Sequence, residues 1–483
     1  MKKKLAAQKR AQPATRKRAA PAAKKKVAKK RATNKRAVPV ASTGAAPAAS
    51  PPAANAPAAV PPAARQVKIR MYNVGFGDSL LLWVPTAQGE RRILVDCGFH
   101  SQGKGKFSDR DLVNRIKEDL DGQPINVLIA THRHQDHISG FGETDLWADV
   151  GIEEIWLPFT AGSQAAHDEP ALRLWNGLMD SAHALVNDAG ALTSSAAAAM
   201  AAHDPAERAA AAFMLWNARS NAPAIDNLLT GMRGPGGRPA RRRFLPEEKD
   251  KYPSKIDTPA LPGIVIHVLG PPTDPKARRN REVPSSWGLA AAGPGAVGGH
   301  AGQSDRPFSD EWRIPDQRLP SRKPFQNKTL QSIRLLNDDL FYAARAIDGF
   351  LNGESLVLVM EVGNARLLFP GDAEVGAWNT IMANPKALEL ASGATFLKVG
   401  HHGSHNATPI TFIDHHLAEK TPAVISTQEG PGNYRNGIPL PRLLTRLDAR
   451  RMPYARSDDP PKRSGSLFKP DPQGRWVDCL IAC

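Results

Sequence analysis

Ile125-Asn126-Val127-Leu128-Ile129-Ala130-Thr131-His132-Arg133-His134-Gln135-Asp136-His137-Ile138-Ser139-Gly140 is the stretch that decides the reading of this chain. Its first part, Ile125 to Ala130, has the length and apolar content of a buried strand. The run ends directly in Thr131 and four potential metal ligands within six residues: His132, His134, Asp136 and His137. Imidazole nitrogens and a carboxylate suit zinc or another first-row divalent ion. His132 and His134, at i and i+2, point to one side, while Asp136 and His137 follow in the turn. One metal can take the first pair and a second metal the other. A surface histidine cluster, the competing reading, would have arbitrary flanks; here a strand leads in and Gly140 follows.

Working outward, residues from Gln66 alternate as VKIRMYNVG, SLLLWVP and RRILVDCG, separated by Gly, Pro or polar turns. They read as consecutive antiparallel strands. Downstream come Ile155-Trp156-Leu157-Pro158, Leu368-Phe369-Pro370-Gly371-Asp372 and Leu397-Lys398-Val399-Gly400-His401-His402-Gly403-Ser404, and Val424-Ile425-Ser426 then begins a last strand.

These segments carry a resemblance. His132 to His137 matches the HxHxDH signature of the metallo-β-lactamase fold. Asn73-Val74-Gly75-Phe76-Gly77-Asp78-Ser79 resembles the NVGQGDS opening of the hydrolase domain of ComEC competence proteins, and Leu397 to Ser404 its LKVGHHGS segment. Leu94-Val95-Asp96-Cys97-Gly98 is similar to the family's first Asp segment, and Leu368 to Asp372 to its GD motif. The matches fall in family order across most of residues 66–460. The resemblance implies an α/β fold, the metallo-β-lactamase αββα sandwich, with two divalent ions, Zn or Mn. Residue by residue, it implies one metal on His132 and His134, the other on Asp136 and His137, and Asp372 bridging both. Asp136 and Asp372 would then be catalytic, with Asp96 and Asp78 in supporting places, Asp96 holding the metal loop by hydrogen bonds. The last histidine ligand is His401 or His402, with His401 preferred because it follows its strand immediately. Cys97 reads as a small residue packed near a strand end.

Two departures from the family pattern stand out. Relatives carry a third histidine motif just before the strand that runs into the GD segment, where this chain has Leu351-Asn352-Gly353-Glu354-Ser355-Leu356-Val357. The ComEC branch tends to have Asn there, which makes Asn352 the weak substitute. His267, on IVIHVLGPP, is the other histidine available, and an inward strand histidine is more often a core residue. The second departure is Asn433 to Pro439, where Ile438 stands at the histidine of the usual NxYGHP.

Net charge is +17, yet residues 1–64 hold 16 of the 64 Lys and Arg and no Asp or Glu, leaving 48 basic and 47 acidic residues beyond them. The surplus is therefore a property of one tail, and a basic globular face does not follow from the total. Its charges all lie in residues 2–36; residues 37–64 are an uncharged, Ala- and Pro-rich spacer. Too little apolar surface is present to offset chain entropy, so residues 1–64 read as a disordered, tethered polycation. Lys2, Lys3, Lys4, Lys24, Lys25 and Lys26 would meet nucleic acid or another polyanion without reading sequence. A solubilising tail and an organelle presequence are the alternatives.

Residues 65–483 form the hydrolase-like body. Within it 163–240 reads as an Ala-rich helical insertion, ending in a flexible basic loop, GPGGRPARRR, whose Arg241, Arg242 and Arg243 could meet a phosphate backbone or be merely solvated. Residues 275–328 read as a long Gly/Pro/Ser/Arg-rich loop. No uncharged apolar run approaches the roughly 18 residues a membrane span needs. Three cysteines, Cys97, Cys479 and Cys483, do not make a disulfide framework, which fits a reduced, cytoplasmic setting, and the polycationic tail adds nucleoid association as an expectation. The expected activity is metal-dependent hydrolysis, with phosphodiesters favoured by the resemblance, the tail and the Arg-rich loops. Hydrolysis of a small ester, cyclic nucleotide or lactam is the second reading, and a degenerate nucleic-acid-binding non-enzyme the third.

Overall fold

The alternating segments after Arg65 become an antiparallel meander, β1 (Gln66–Tyr72), β2 (Ser79–Thr86) and β3 (Gly89–Cys97). They open a computed structural model that describes residues 65–100, 103, 105–162, 221–278, 280, 287, 351–429 and 438–483. The tail 1–64, most of the insertion and most of the 275–328 loop lie outside these residues. Every described residue belongs to one unit, Pro62–Cys483.

After β3 the chain changes from hairpins to crossovers. Helix α1 (Asp109–Leu120) starts at a capping box, Ser108 with Asp111, and buries Leu112, Val113, Ile116 and Leu120 along one face. It returns the chain to β4 (Ile125–Ile129), which lies parallel to β3, and β5 (Ile152–Pro158) continues in the same sense. β4 is buried at every position, as an interior parallel strand covered on both faces must be.

The insertion ends in a described helix, α2 (Ala222–Asp226), and a following wide turn, Asn227–Gly231. The basic segment then departs from expectation. Arg241–Leu245 is a strand, β6, pairing parallel with β5, and not a flexible loop. Arg242 donates to the carbonyls of Leu228, Ala240 and Met232 at 3.0, 2.7 and 3.1 Å, while Arg243 is buried and paired with Glu247 at 2.7 Å. Arg241 remains largely exposed but sits 3.3 Å from Glu154. The guanidinium groups of Arg242 and Arg243 are thus spent on strand and turn carbonyls and carboxylates, which removes them as a phosphate-binding loop.

A second sheet is built from β7 (Ser254–Ile256), β8 (Val265–Gly270), β9 (Val357–Val362), β10 (Ala365–Phe369), β11 (Phe396–Lys398), β12 (Ala423–Ile425) and β13 (Tyr454–Arg456). Val424 therefore does not begin the last strand. After β13, β14 (Phe468–Pro470) and β15 (Trp476–Ala482) return to the first sheet, where β15 pairs antiparallel with β1. Among the described residues the first sheet has eight strands in the order β14-β15-β1-β2-β3-β4-β5-β6, and the second seven, β13-β12-β11-β10-β9-β8-β7.

Facing sides of the two sheets form one core: Ile69, Leu82, Val95 and Ile129 from the first meet Ile266, Leu358, Met360 and Phe369 from the second. Outside the first sheet, α1 and α2 cover Leu94, Leu128 and Ile155. Outside the second, α3 (Val375–Ala383), α4 (Pro385–Ser392), α5 (Ile410–His415) and α6 (Pro441–Ala449) pack on Val359, Leu368 and Leu397. The layers run helix, sheet, sheet, helix, the metallo-β-lactamase type of sandwich. Each fully buried Leu, Ile or Phe in these layers contributes about 1.5–3 kcal/mol.

Candidate metal centre

Three strands end at one place. β4 runs into Thr131 to His137, β10 into Gly371 and Asp372, and β11 into Val399 to His402. All three neighbour parallel strands, and it is at the carboxyl ends of such strands that loops bring chemistry together. The sheets are tied here by a backbone bond, Leu356 N–H to the Thr131 carbonyl at 2.9 Å.

Asp136, His137, Asp372 and His402 are all buried and offer ligand atoms within 4.8 Å of one another. His137 Nε2 lies 3.1 Å from Asp372 Oδ2, and His402 Nε2 lies 3.1 Å from Asp136 Oδ2 and 3.4 Å from Asp372 Oδ2. His132 and His134 form a second point of convergence, His132 Nε2 and His134 Nδ1 being 3.0 Å apart. The His132 ring is 4.1 Å from that of His137, so the two groups adjoin.

Of the paired histidines the structure brings in His402, against the sequence preference for His401. His402 is fully buried, whereas His401 is partly exposed, 3.9 Å from Asp372 Oδ2, and turned toward Asn406 Oδ1 at 3.2 Å. Both residues have left-handed backbone, φ +46° and +54°, so the strand does not run straight into the first histidine but coils tightly and delivers the second.

The supporting hydrogen bonds fix which nitrogen each imidazole presents. Asp96 accepts from Thr131 N–H and Thr131 Oγ1, both at 2.7 Å, and faces His137 Nδ1 at 2.8 Å. His402 Nδ1 faces the Ser426 carbonyl at 3.0 Å. Carboxylate and carbonyl oxygens only accept, so Nδ1 carries a proton in both rings, and Nε2, which faces the carboxylates Asp372 and Asp136, is the nitrogen at which a metal would replace a proton. Asp78 lies 3.6 Å from His402 Nδ1 and receives the ammonium of Lys398.

Charge settles the kind of ligand that fits. Asp78, Asp96, Asp136 and Asp372 are all buried together, with the buried Lys398 as their nearest Lys or Arg ion pair among the described residues. Burial pushes the Asp136 and Asp372 carboxyls up, but the neighbouring imidazoles, His137 foremost, outweigh it and hold both well below the usual range. Burial likewise lowers His137 and His402, and the surrounding carboxylates, Asp372 foremost, more than reverse it. Burial and the adjacent His137 and His134 rings push His132 down, keeping it neutral. A pocket of carboxylates that draws positive charge onto His137 and His402, with the Nε2 of each turned inward, fits divalent cations that would take the place of those protons.

Other sequence candidates fall elsewhere. Asn352 is buried near this centre, but its amide nitrogen donates to Glu374 Oε1 at 2.9 Å. His267 pairs with Glu361 at 3.3 Å across β8 and β9 and joins no metal-type cluster among the described residues. Cys97 packs in the apolar core outside the first sheet, 2.5 Å from where a Cβ on Gly140 would stand, which explains both residues by packing. Ile438 is buried, and beyond it Leu440 N–H donates to Gly403 O at 2.8 Å, so an apolar side chain occupies the family's histidine position. The tail lysines lie outside the described residues.

Several participants escaped the sequence reading. Thr131, Ser426, Glu374 and Asn406 are invisible without tertiary contacts. The Arg133–Glu354 pair, 2.9 Å with Glu354 fully buried, is another. Lys398 had a legible signal, a lysine inside the apolar run Phe396-Leu397-Lys398-Val399.

With two layered sheets and this donor set in place, the comparison with known families agrees. The Metallo-beta-lactamase superfamily matches residues 72–174, which span the end of β1, β2 to β5 and the whole His132–His137 motif. The match supports the sandwich fold for this part of the chain. No curated protein matches it.

Proposed function

We propose that this protein is a metal-dependent hydrolase acting on phosphodiesters, nuclease-like, in which Asp136, His137, Asp372 and His402, with the adjoining His132 and His134, would hold divalent cations. The observation that carries the metal-dependent part is the buried convergence of Asp136, His137, Asp372 and His402. Divalent cations in such a site make hydroxide available near neutral pH and neutralise charge on the attacked group. The chain's own part is to hold ionised carboxylates and imidazoles with Nε2 turned inward in register, through Asp96 on His137 and Ser426 on His402. His401, the partly exposed member, borders the side from which a substrate approaches.

Support for phosphodiesters comes from the sequence: the ComEC-like segments Asn73–Ser79 and Leu397–Ser404, and the cationic residues 1–64 as an anchor for nucleic acid. The fold class serves many substrates, so the site itself does not choose among them. The test is a panel of single- and double-stranded DNA, RNA and a small phosphodiester with Mn²⁺ or Zn²⁺. Cleavage by the parent protein, lost in Asp372→Ala, is expected. Hydrolysis of the small ester alone would end the nuclease version, and inactivity on every phosphodiester would end the substrate assignment.

A further inference from the structure

A second cluster lies directly behind the first. Asp78, Asp96 and His137 offer ligand atoms within 4.8 Å of one another, and all are buried. By donor chemistry alone this is another cation position. Its approach, however, is filled from within the chain. The ammonium of Lys398, 2% exposed, rests on Asp78 Oδ2 and stands 3.8 Å from Asp372 Oδ1.

We propose that Lys398 is a built-in cation that occupies the Asp78–Asp96–His137 cluster, excludes metal from it and so confines metal ions to the donors in front of it, Asp136, Asp372 and His402 with the adjoining His132 and His134. This rests on the metal-binding reading above. A divalent ion beside Asp78 would stand next to a fixed positive charge in a low-dielectric interior, where like charges repel strongly. His137 adds to the exclusion, because its Nδ1–H is committed to Asp96 at 2.8 Å and only Nε2 remains for a metal. The device follows from one strand: β11 ends at Lys398, and His402 follows within the next turn. A single strand thereby supplies the counter-ion of one cluster and the ligand of the other.

Mn²⁺ bound per chain is counted in the full-length parent, Lys398→Met and Asp78→Asn/Lys398→Met, and Mn²⁺ affinity is measured in Asp78→Asn. Lys398→Met, similar in shape but uncharged, should bind one more Mn²⁺ than the parent, and the double variant should return to the parent's count. In Asp78→Asn the ammonium loses its main partner and turns to Asp372, so the Mn²⁺ Kd should rise by about tenfold. A Lys398→Met protein with the parent's count or fewer overturns the proposal. Should that variant not fold, an unchanged Kd in Asp78→Asn overturns it instead. A parent that binds no metal would sink the metallo-hydrolase reading, while the difference between Lys398→Met and parent would still judge the role of Lys398.

Discussion

Two adjacent histidines, His401 and His402, look equivalent in the sequence and differ completely in place. The positive φ of each coils the chain so that His402 turns inward between Asp136, Asp372 and Phe76, its ring 4.4 Å from that of Phe76. His402→Ala should therefore lose metal content, while His401→Ala retains it; equal loss in both, by elemental analysis, would contradict the geometry. Asp96 acts one step further out. Asp96→Asn removes the carboxylate that faces His137 Nδ1 and should weaken metal binding by about 10–100-fold. Calorimetric titration of the metal-free variant reads this directly.

At the scale of elements, the loop after β4 is seated on the end of β3 with no room between them. A Cβ on Gly98 would stand 2.5 Å from Gln135 O and 2.7 Å from His137 N, backbone atoms that cannot rotate away. Gly98→Ala should cost about 1–3 kcal/mol in urea unfolding, the usual range for overpacking, and weaken metal binding with it. Undiminished affinity would show that the loop is not held by this contact. Helix α1 carries a separate pH signal. Burial pushes Asp109 at its first position from 3.8 up to about 6, against the hydrogen bond from Ser139. A raised acid pKa means that ionisation disfavours the folded state, so this residue's contribution is present below pH 3.8 and is lost as pH rises toward about 6. Asp109→Asn, which can still accept from Ser139, should raise the thermal midpoint at pH 8 and give no gain at pH 3.5; a gain independent of pH would exclude ionisation as the cause.

For the whole molecule, charge and chemistry are divided along the chain. The cationic surplus belongs to residues 1–64, whereas the site is built by residues 78–402 of a nearly balanced body. Removing residues 1–64 should leave metal content and hydrolysis of a small phosphodiester unchanged. Retention on single-stranded DNA should weaken, and the slope of log K against log salt should flatten. A truncated protein that binds DNA with the parent's salt dependence would place the contact in the body. No helix among the described residues is long and apolar enough to cross a membrane.

What could be read from the sequence is what depends on local order along the chain. Alternation marked β1, short apolar runs bounded by turns marked β2, β3 and β4, and the dense motif marked a metal-type donor set, because strand period, run length and ligand spacing are short-range properties. The basic run at Arg241 misled, since a strand at a sheet edge whose arginines find carbonyls and Glu154 looks, residue by residue, like a solvated loop. Choice of His402 over His401, the seating of Gly98 under the loop, and the pairing of Lys398 with Asp78 were decided only in three dimensions. Each joins residues far apart in the chain, 266 positions in the case of His402 and Asp136, and no local pattern encodes such a contact. The sequence by itself determined which donors exist and on which strands they ride. The packing of two sheets against each other determined which donors meet, because only the closed core fixes the relative height of the ends of β4, β10 and β11.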